Sequence, residues 1–135
     1  MKHTFYLLTL MLLTLNCNSD DDNSEQNEPT LYSSWSLVNV SGGLAGANDD
    51  FEMDLITWDF DEANLELTVT NNNTANVIYD GLPSGTYDYE VPSTTNEVTT
   101  VVIDNINYVI TTLTNSQLIL DEGVAVDGFL LTFSQ

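Results

Sequence analysis

Cationic side chains are almost missing from this sequence. Against 21 Asp and Glu residues stand one lysine, Lys2, and one histidine, His3; beyond position 3 there is no Lys, Arg or His. Such a chain cannot build a phosphate clamp, which excludes nucleic acid as a partner. The shortage also removes an imidazole base, an amine nucleophile and a guanidinium clamp, and with them the serine triad. Only a carboxylate pair is left, as in glycoside hydrolysis. Acidic residues are so plentiful that any pair is weak ground for catalysis, and those on outward strand faces are ordinarily just solvated. The expectation is a protein that is not an enzyme. Side-chain salt bridges are excluded from the folded part as well. Burial and backbone hydrogen bonds must therefore hold the fold against self-repulsion, and added salt, which screens like charges, should strengthen it.

Cysteine is nearly absent too. The single Cys17 excludes an intramolecular disulfide, and without histidine neither a zinc nor a copper site is credible. Long apolar runs are also lacking. Phe5 to Leu15, FYLLTLMLLTL, is free of charge, yet as a helix it would span about 16 Å, roughly half of a ~30 Å hydrocarbon core. It follows the short cationic start Lys2-His3 and has no polar face, so it reads as a signal-peptide core. Residues 1–16 are assigned to the signal peptide.

The end of that run, Leu13-Thr14-Leu15-Asn16-Cys17, resembles the lipobox of bacterial lipoproteins. The resemblance implies cleavage before Cys17 and acylation of Cys17, which would anchor the chain to a membrane through lipid. An ordinary secretory signal is the competing reading, but no small-x-small cleavage site stands near the boundary. Directly after the cysteine, Ser19-Asp20-Asp21-Asp22 is similar to the export signal of surface-exposed lipoproteins in the Bacteroidetes. It implies a lipid-anchored protein of the outer membrane facing outward. A plain solvated acidic linker is the alternative. Residues 17–31 have almost no apolar side chain and are expected to form a disordered acidic tether.

What is abundant after Tyr32 is period-two alternation. Ile56, Trp58 and Phe60 share one face; Leu65, Leu67 and Val69 alternate with polar residues, as do Tyr87, Tyr89 and Val91. Ile106, Tyr108 and Ile110, and then Phe129, Leu131 and Phe133, continue the pattern. Half-buried antiparallel strands require this arrangement. Eight strands are expected, at about 34–41, 54–60, 64–70, 86–91, 97–103, 106–112, 117–121 and 128–134, with a short extra strand conceivable at Val77 to Tyr79. Asp104-Asn105 is a two-residue hairpin candidate because both residue types tolerate positive φ. Short strands in sequence favour an all-β fold, a single antiparallel up-and-down eight-stranded barrel over residues 32–135. A two-sheet sandwich is the alternative.

On Trp35-Ser36-Leu37-Val38, Trp58-Asp59-Phe60, Gly85-Thr86-Tyr87-Asp88-Tyr89, Tyr108-Val109-Ile110, Leu118-Ile119-Leu120-Asp121 and Leu131-Thr132-Phe133, this domain resembles the short lipocalin-like domains of Bacteroidetes lipoproteins. The resemblance implies a barrel that could hold a small hydrophobic ligand. Trp58, Phe60, Tyr87, Tyr89, Tyr108, Phe129 and Phe133 fall on the inward faces, where they line such a pocket or form an ordinary filled core. With a filled core the protein becomes a non-catalytic structural or protein-interaction module, its protein partner unspecified. No cofactor is implied. Asp59, Asp61 and Glu62 are candidate calcium ligands near a loop, set against the reading of a solvated acidic surface.

Overall fold

The computed structural model describes residues 28–92 and 99–135. The expected signal peptide, Cys17 and Ser19 to Asp22 lie outside the described residues, and so do positions 97 and 98 of the expected fifth strand. Within the described residues the alternating segments do form strands. They are β1 (Ser34–Gly42), β2 (Ala47–Asp50), β3 (Ile56–Asp61), β4 (Glu66–Asn71) and β5 (Gly85–Glu90), followed by β6 (Thr100–Ile103), β7 (Ile106–Leu113), β8 (Gln117–Asp121) and β9 (Phe129–Ser134). A single 3₁₀ turn, Val124–Val126, precedes β9.

Every pairing is antiparallel, and from β3 to β9 each strand pairs with the next. β1 then pairs with β9 over Ser36–Gly42 and closes the sheet. The result is an up-and-down barrel of eight strand positions, not a sandwich. Closure removes the free edges that an open sheet would expose.

The ninth strand is an addition to the expected count. β2 pairs with the upper half of β1 (Asn39↔Asp50 to Gly42↔Ala47), and β3 pairs with its lower half (Ser34↔Asp59 to Ser36↔Thr57). β2 and β3 thus occupy one strand position, interrupted by an excursion over Phe51–Leu55. Two hydrogen bonds pin the excursion: Phe51 N–H donates to Val38 O (2.9 Å), and Asp54 N–H to the buried Ser36 Oγ (2.7 Å). Ala-Asn-Asp-Asp has no alternation and poor strand propensity. The β1 ladder, with Asn39 Nδ2 donating to Asp50 Oδ1 (2.8 Å), makes it a strand. Conversely, Val77 to Tyr79 is not a strand but part of the irregular loop between β4 and β5.

Directly opposed residues share a face, so the registers specify the interior. Trp35, Trp58 and Val69 form one row, Leu37, Phe133 and Leu118 a second, and Val40, Leu131 and Leu120 a third. All nine are buried. A bulge at Val38 lets both Leu37 and Val40 point inward. Leu65 departs from the expected inward set: it takes φ 55° in the β3–β4 turn and is exposed.

The barrel has two distinct ends. The lower end carries the β3–β4, β5–β6 and β7–β8 connections and the incoming chain. There Leu31, read from the sequence as the last tether residue, is buried, and the Trp35 indole donates to its carbonyl at 3.1 Å. The upper end carries the β1–β2, β4–β5, β6–β7 and β8–β9 connections.

The β6–β7 hairpin behaves as its sequence indicates. Asp104 and Asn105 have φ of 49° and 66° between the paired Ile103 and Ile106, which is a type I′ turn. Asn105→Val would place a β-branched residue at positive φ and should lower stability by about 1–2 kcal/mol. Asn105→Gly should be neutral or mildly stabilising. Urea denaturation midpoints check this, and a valine variant as stable as the parent would contradict it.

Candidate functional site

Six of the seven inward-assigned aromatics are side chains of the barrel interior or its upper mouth, in two groups. Trp58 sits at the centre, its ring 5.0 Å from Phe133, 6.1 Å from Tyr108 in an edge-on arrangement, and 6.3 Å from Phe60. Phe60 meets Tyr89 edge-on at 5.4 Å towards the lower end, where the Tyr89 hydroxyl donates to Asp61 O (3.0 Å). Edge-on and tilted contacts at these distances are favourable ring geometries. Trp58, Phe60, Tyr89, Tyr108 and Phe133 are all at most 3% exposed, so their rings occupy the interior themselves. The seventh, Tyr87, opposes Leu67 on the inward face and packs half-buried against the core; its ring lies over Gly85 and its hydroxyl donates to Pro83 O (2.8 Å).

Phe129 is half-buried at the upper mouth, stacked on Tyr79 of the β4–β5 loop at 4.5 Å. The ring needs the glycines beside it. A Cβ on Gly43 (φ 69°) would lie 2.7 Å from the Phe129 ring, and one on Gly42 would lie 2.7 Å from Gly128 O. The β4–β5 loop then folds over the mouth. Gly81 takes φ 85° and lies against Leu37 and the Trp58 indole, with Leu82 buried next to it.

Under this loop the structure gathers polar groups that the sequence did not single out. Glu122 N–H donates to Phe129 O at 2.9 Å, which carries the β8–β9 ladder one step past Asp121. In that register Glu122 stands opposite Phe129 and faces inward. Trp58 Nε1, Tyr108 Oη and Glu122 Oε2 are buried without a hydrogen-bond partner of good geometry. Such orphaned groups are rare in folded proteins and mark places where polarity serves something other than packing. Burial, then the nearby Glu122 carboxylate, pushes the Tyr79 hydroxyl up to about 12. Burial, then Tyr79, raises Tyr108 as well. Burial raises Glu122, partly offset by hydrogen bonding from Tyr79. Period two could have found Glu122, because Leu118, Leu120 and Glu122 alternate; in so acidic a chain one more glutamate carried no signal.

The calcium candidates do not converge. Asp61 uses its carboxylate to close its own turn, accepting from Ala63 N (2.8 Å), Asn64 N (3.3 Å) and Asn64 Nδ2 (2.7 Å), and these bonds to Asn64 and Ala63 hold it below the usual carboxylate range. Asp59 and Glu62 are exposed. Among the described residues no three His, Cys, Asp or Glu side chains are grouped to hold a metal ion.

Two depressions lie outside the barrel. One of about 360 Å³ at the lower end is lined by Glu28, Thr30, Thr114, Asn115 and Gln135. The other, about 440 Å³, lies against β5 and the β6–β7 hairpin, among Thr86, Asp88, Glu90 and Asp104. Neither holds the orphaned groups. Comparison with protein-family models, curated proteins and solved structures gave no match, so the geometry alone carries the functional reading.

Glu122 and the tyrosines set the pH dependence. A carboxyl whose folded pKa is raised contributes stability that is lost as pH rises through its folded value. Glu122→Gln should therefore gain on the parent protein as pH climbs out of the ordinary carboxylate range, and match it at lower pH. Above pH ~10 unfolded tyrosine ionises while Tyr79 resists to about 12, so stability should fall again across that interval. Thermal melts against pH check both; a Gln variant that tracks the parent at every pH would contradict the placement of Glu122.

Proposed function

We propose that this chain is an exported, lipid-anchored lipoprotein of the outer membrane, surface-exposed, whose β-barrel is a non-catalytic interaction module. The observation that carries this reading is the occupied interior. Trp58 packs against Phe60, Tyr108 and Phe133 at 5.0–6.3 Å, and these four rings are at most 3% exposed. A ligand pocket needs a cavity of a few hundred Å³ lined by such groups. Here the groups meet one another, and the protein's function falls to its outer faces and its upper rim.

Export and anchoring rest on the sequence. Phe5 to Leu15 is an apolar run of signal-peptide length, Cys17 follows it, and Ser19 to Asp22 follow the cysteine. The chain enters the barrel at its lower end beside Leu31, so an anchor at Cys17 would be joined to the domain through that end. Catalysis is left out because no imidazole, amine or guanidinium exists beyond position 3, and the carboxylates that remain are no more than a plentiful acidic surface.

A second reading has one observation in its favour. Trp58 Nε1 is buried without a partner beneath the β4–β5 loop, with Tyr108 Oη held only by Tyr79, which suits a small, mostly apolar ligand carrying one hydrogen-bonding group. It would enter from the upper mouth after displacement of Tyr79 and Phe129.

Mass spectrometry of the protein purified from its native membrane separates the two. The expected result is a chain beginning at an acylated Cys17 with no small molecule bound. An unmodified Cys17 would overturn the anchoring, and a stoichiometric small ligand would replace the filled-module reading with the second one.

A further inference from the structure

The upper rim concentrates apolar side chains where a soluble barrel has no structural use for them. Leu44 at the β1–β2 turn is 87% exposed and Val126 in the β8–β9 loop 81%; Ile78 in the β4–β5 loop and Val124 are exposed too. These loops meet at one place. Gly43 N–H donates to Gly128 O (2.9 Å), tying the β1–β2 turn to the β8–β9 loop. A Cβ on Gly42 would lie 3.1 Å from Val124 Cγ2, and the Tyr79 ring beside Ile78 stacks on Phe129. The four apolar tips therefore stand around the Tyr79–Phe129 pair. Single exposed apolar residues are ordinary; several on converging loops mark a contact surface.

The charge around this crown is of one sign. Asp80, Asp121, Glu122 and Asp127 lie on the same loops, and no cationic side chain exists anywhere past position 3. Asp121 spends its carboxylate on Gly123 N and Val124 N, both at 2.7 Å, and Asp80 accepts from Asn73 Nδ2 (2.9 Å). Asp127 stands exposed in the β8–β9 loop. A second copy of this chain, a nucleic acid or an anionic bilayer would bring like charge to like charge. What complements an apolar crown in an acidic field is a cationic polypeptide with apolar side chains between its charges.

We propose that the upper rim is a docking face for a lysine- or arginine-bearing polypeptide segment. Its apolar residues seat among Leu44, Ile78, Val124 and Val126, and its cations are drawn to the rim carboxylates, the exposed Asp127 of the β8–β9 loop first. The proposal deepens the interaction-module reading and rests on it.

The test titrates the purified full-length protein with three labelled peptides: a lysine–leucine amphipathic peptide, its glutamate–leucine counterpart and oligolysine. Vesicles of anionic lipid form a fourth arm. The lysine–leucine peptide should bind at least about 10-fold more tightly than either other peptide. The double substitution Leu44→Ser/Val126→Ser should weaken it about 10-fold and Asp127→Asn several-fold. Leu65→Ser at the lower end should leave it unchanged. Leu44, Val126, Asp127 and Leu65 are exposed, and unchanged melting curves verify folding. Oligolysine binding as tightly, insensitivity to the rim substitutions, an equal effect of Leu65→Ser, or stronger binding to vesicles would overturn the proposal. None of those outcomes bears on acylation of Cys17 or on the occupied interior, so the docking face can fail while the filled, anchored barrel stands.

Discussion

The ladder between β1 and β9 is the contact on which the remaining structure depends. Ser36 to Gly42 pairs with Phe129 to Ser134 across the bulge at Val38, and this pairing turns a curved meander into a closed wall. Without it Leu37, Val40, Leu131 and Phe133, now fully buried, would line an open cleft. A chain with no cation past His3 cannot compensate its carboxylates with ion pairs. Its stability comes from backbone ladders and enclosed apolar surface, at roughly 25 cal/mol per Å² of the latter. Some carboxylates are spent on the backbone: Asp61 and Asp121 accept N–H groups and cap their own turns.

Closure makes the two ends different. At the lower end Leu31 enters as a plug and Trp35 donates to its carbonyl, so every polar atom named there has a partner. At the upper end the β4–β5 loop covers the mouth through Tyr79, Gly81 and Leu82; it leaves Trp58 Nε1 without a partner, and Tyr108 Oη and Glu122 Oε2 with only the Tyr79 hydroxyl beside them. The rim above those atoms also carries Leu44, Ile78 and Val126 in the open. Polarity below and apolar tips above are what the proposed docking face rests on.

Much of the barrel was legible in the sequence because an antiparallel wall with one wet face imposes period two. Ile56, Trp58 and Phe60 alternate, and so they are inside; Asp104-Asn105 tolerates positive φ, and so it turns. The same rule misplaced Leu65, which looks like the first inward residue of β4 but serves the turn before it. β2 was invisible, because Ala47–Asp50 owes its extended form to Asn39 and the β1 ladder rather than to its own side chains. The loop around Val77 to Tyr79 has strand-like composition and no partner edge. Tyr79 therefore became a lid residue, which no local pattern could announce. Glu122 was hidden by abundance: one inward carboxylate among 21 acidic residues shows itself only when the β8–β9 register is known.

The central claim is that the barrel is filled by its own aromatic side chains and functions on its outside. Xenon entry, read from methyl NMR shifts, tests this most directly, since an apolar cavity of ~150 Å³ stays dry and takes up xenon while a close-packed core does not. The parent protein should show no saturable shift at Leu67, Leu120 or Leu131. Trp58→Ala should show one, with a loss of about 3–5 kcal/mol in stability. Saturable xenon shifts in the parent protein would mean that the interior holds usable space, and would contradict the account.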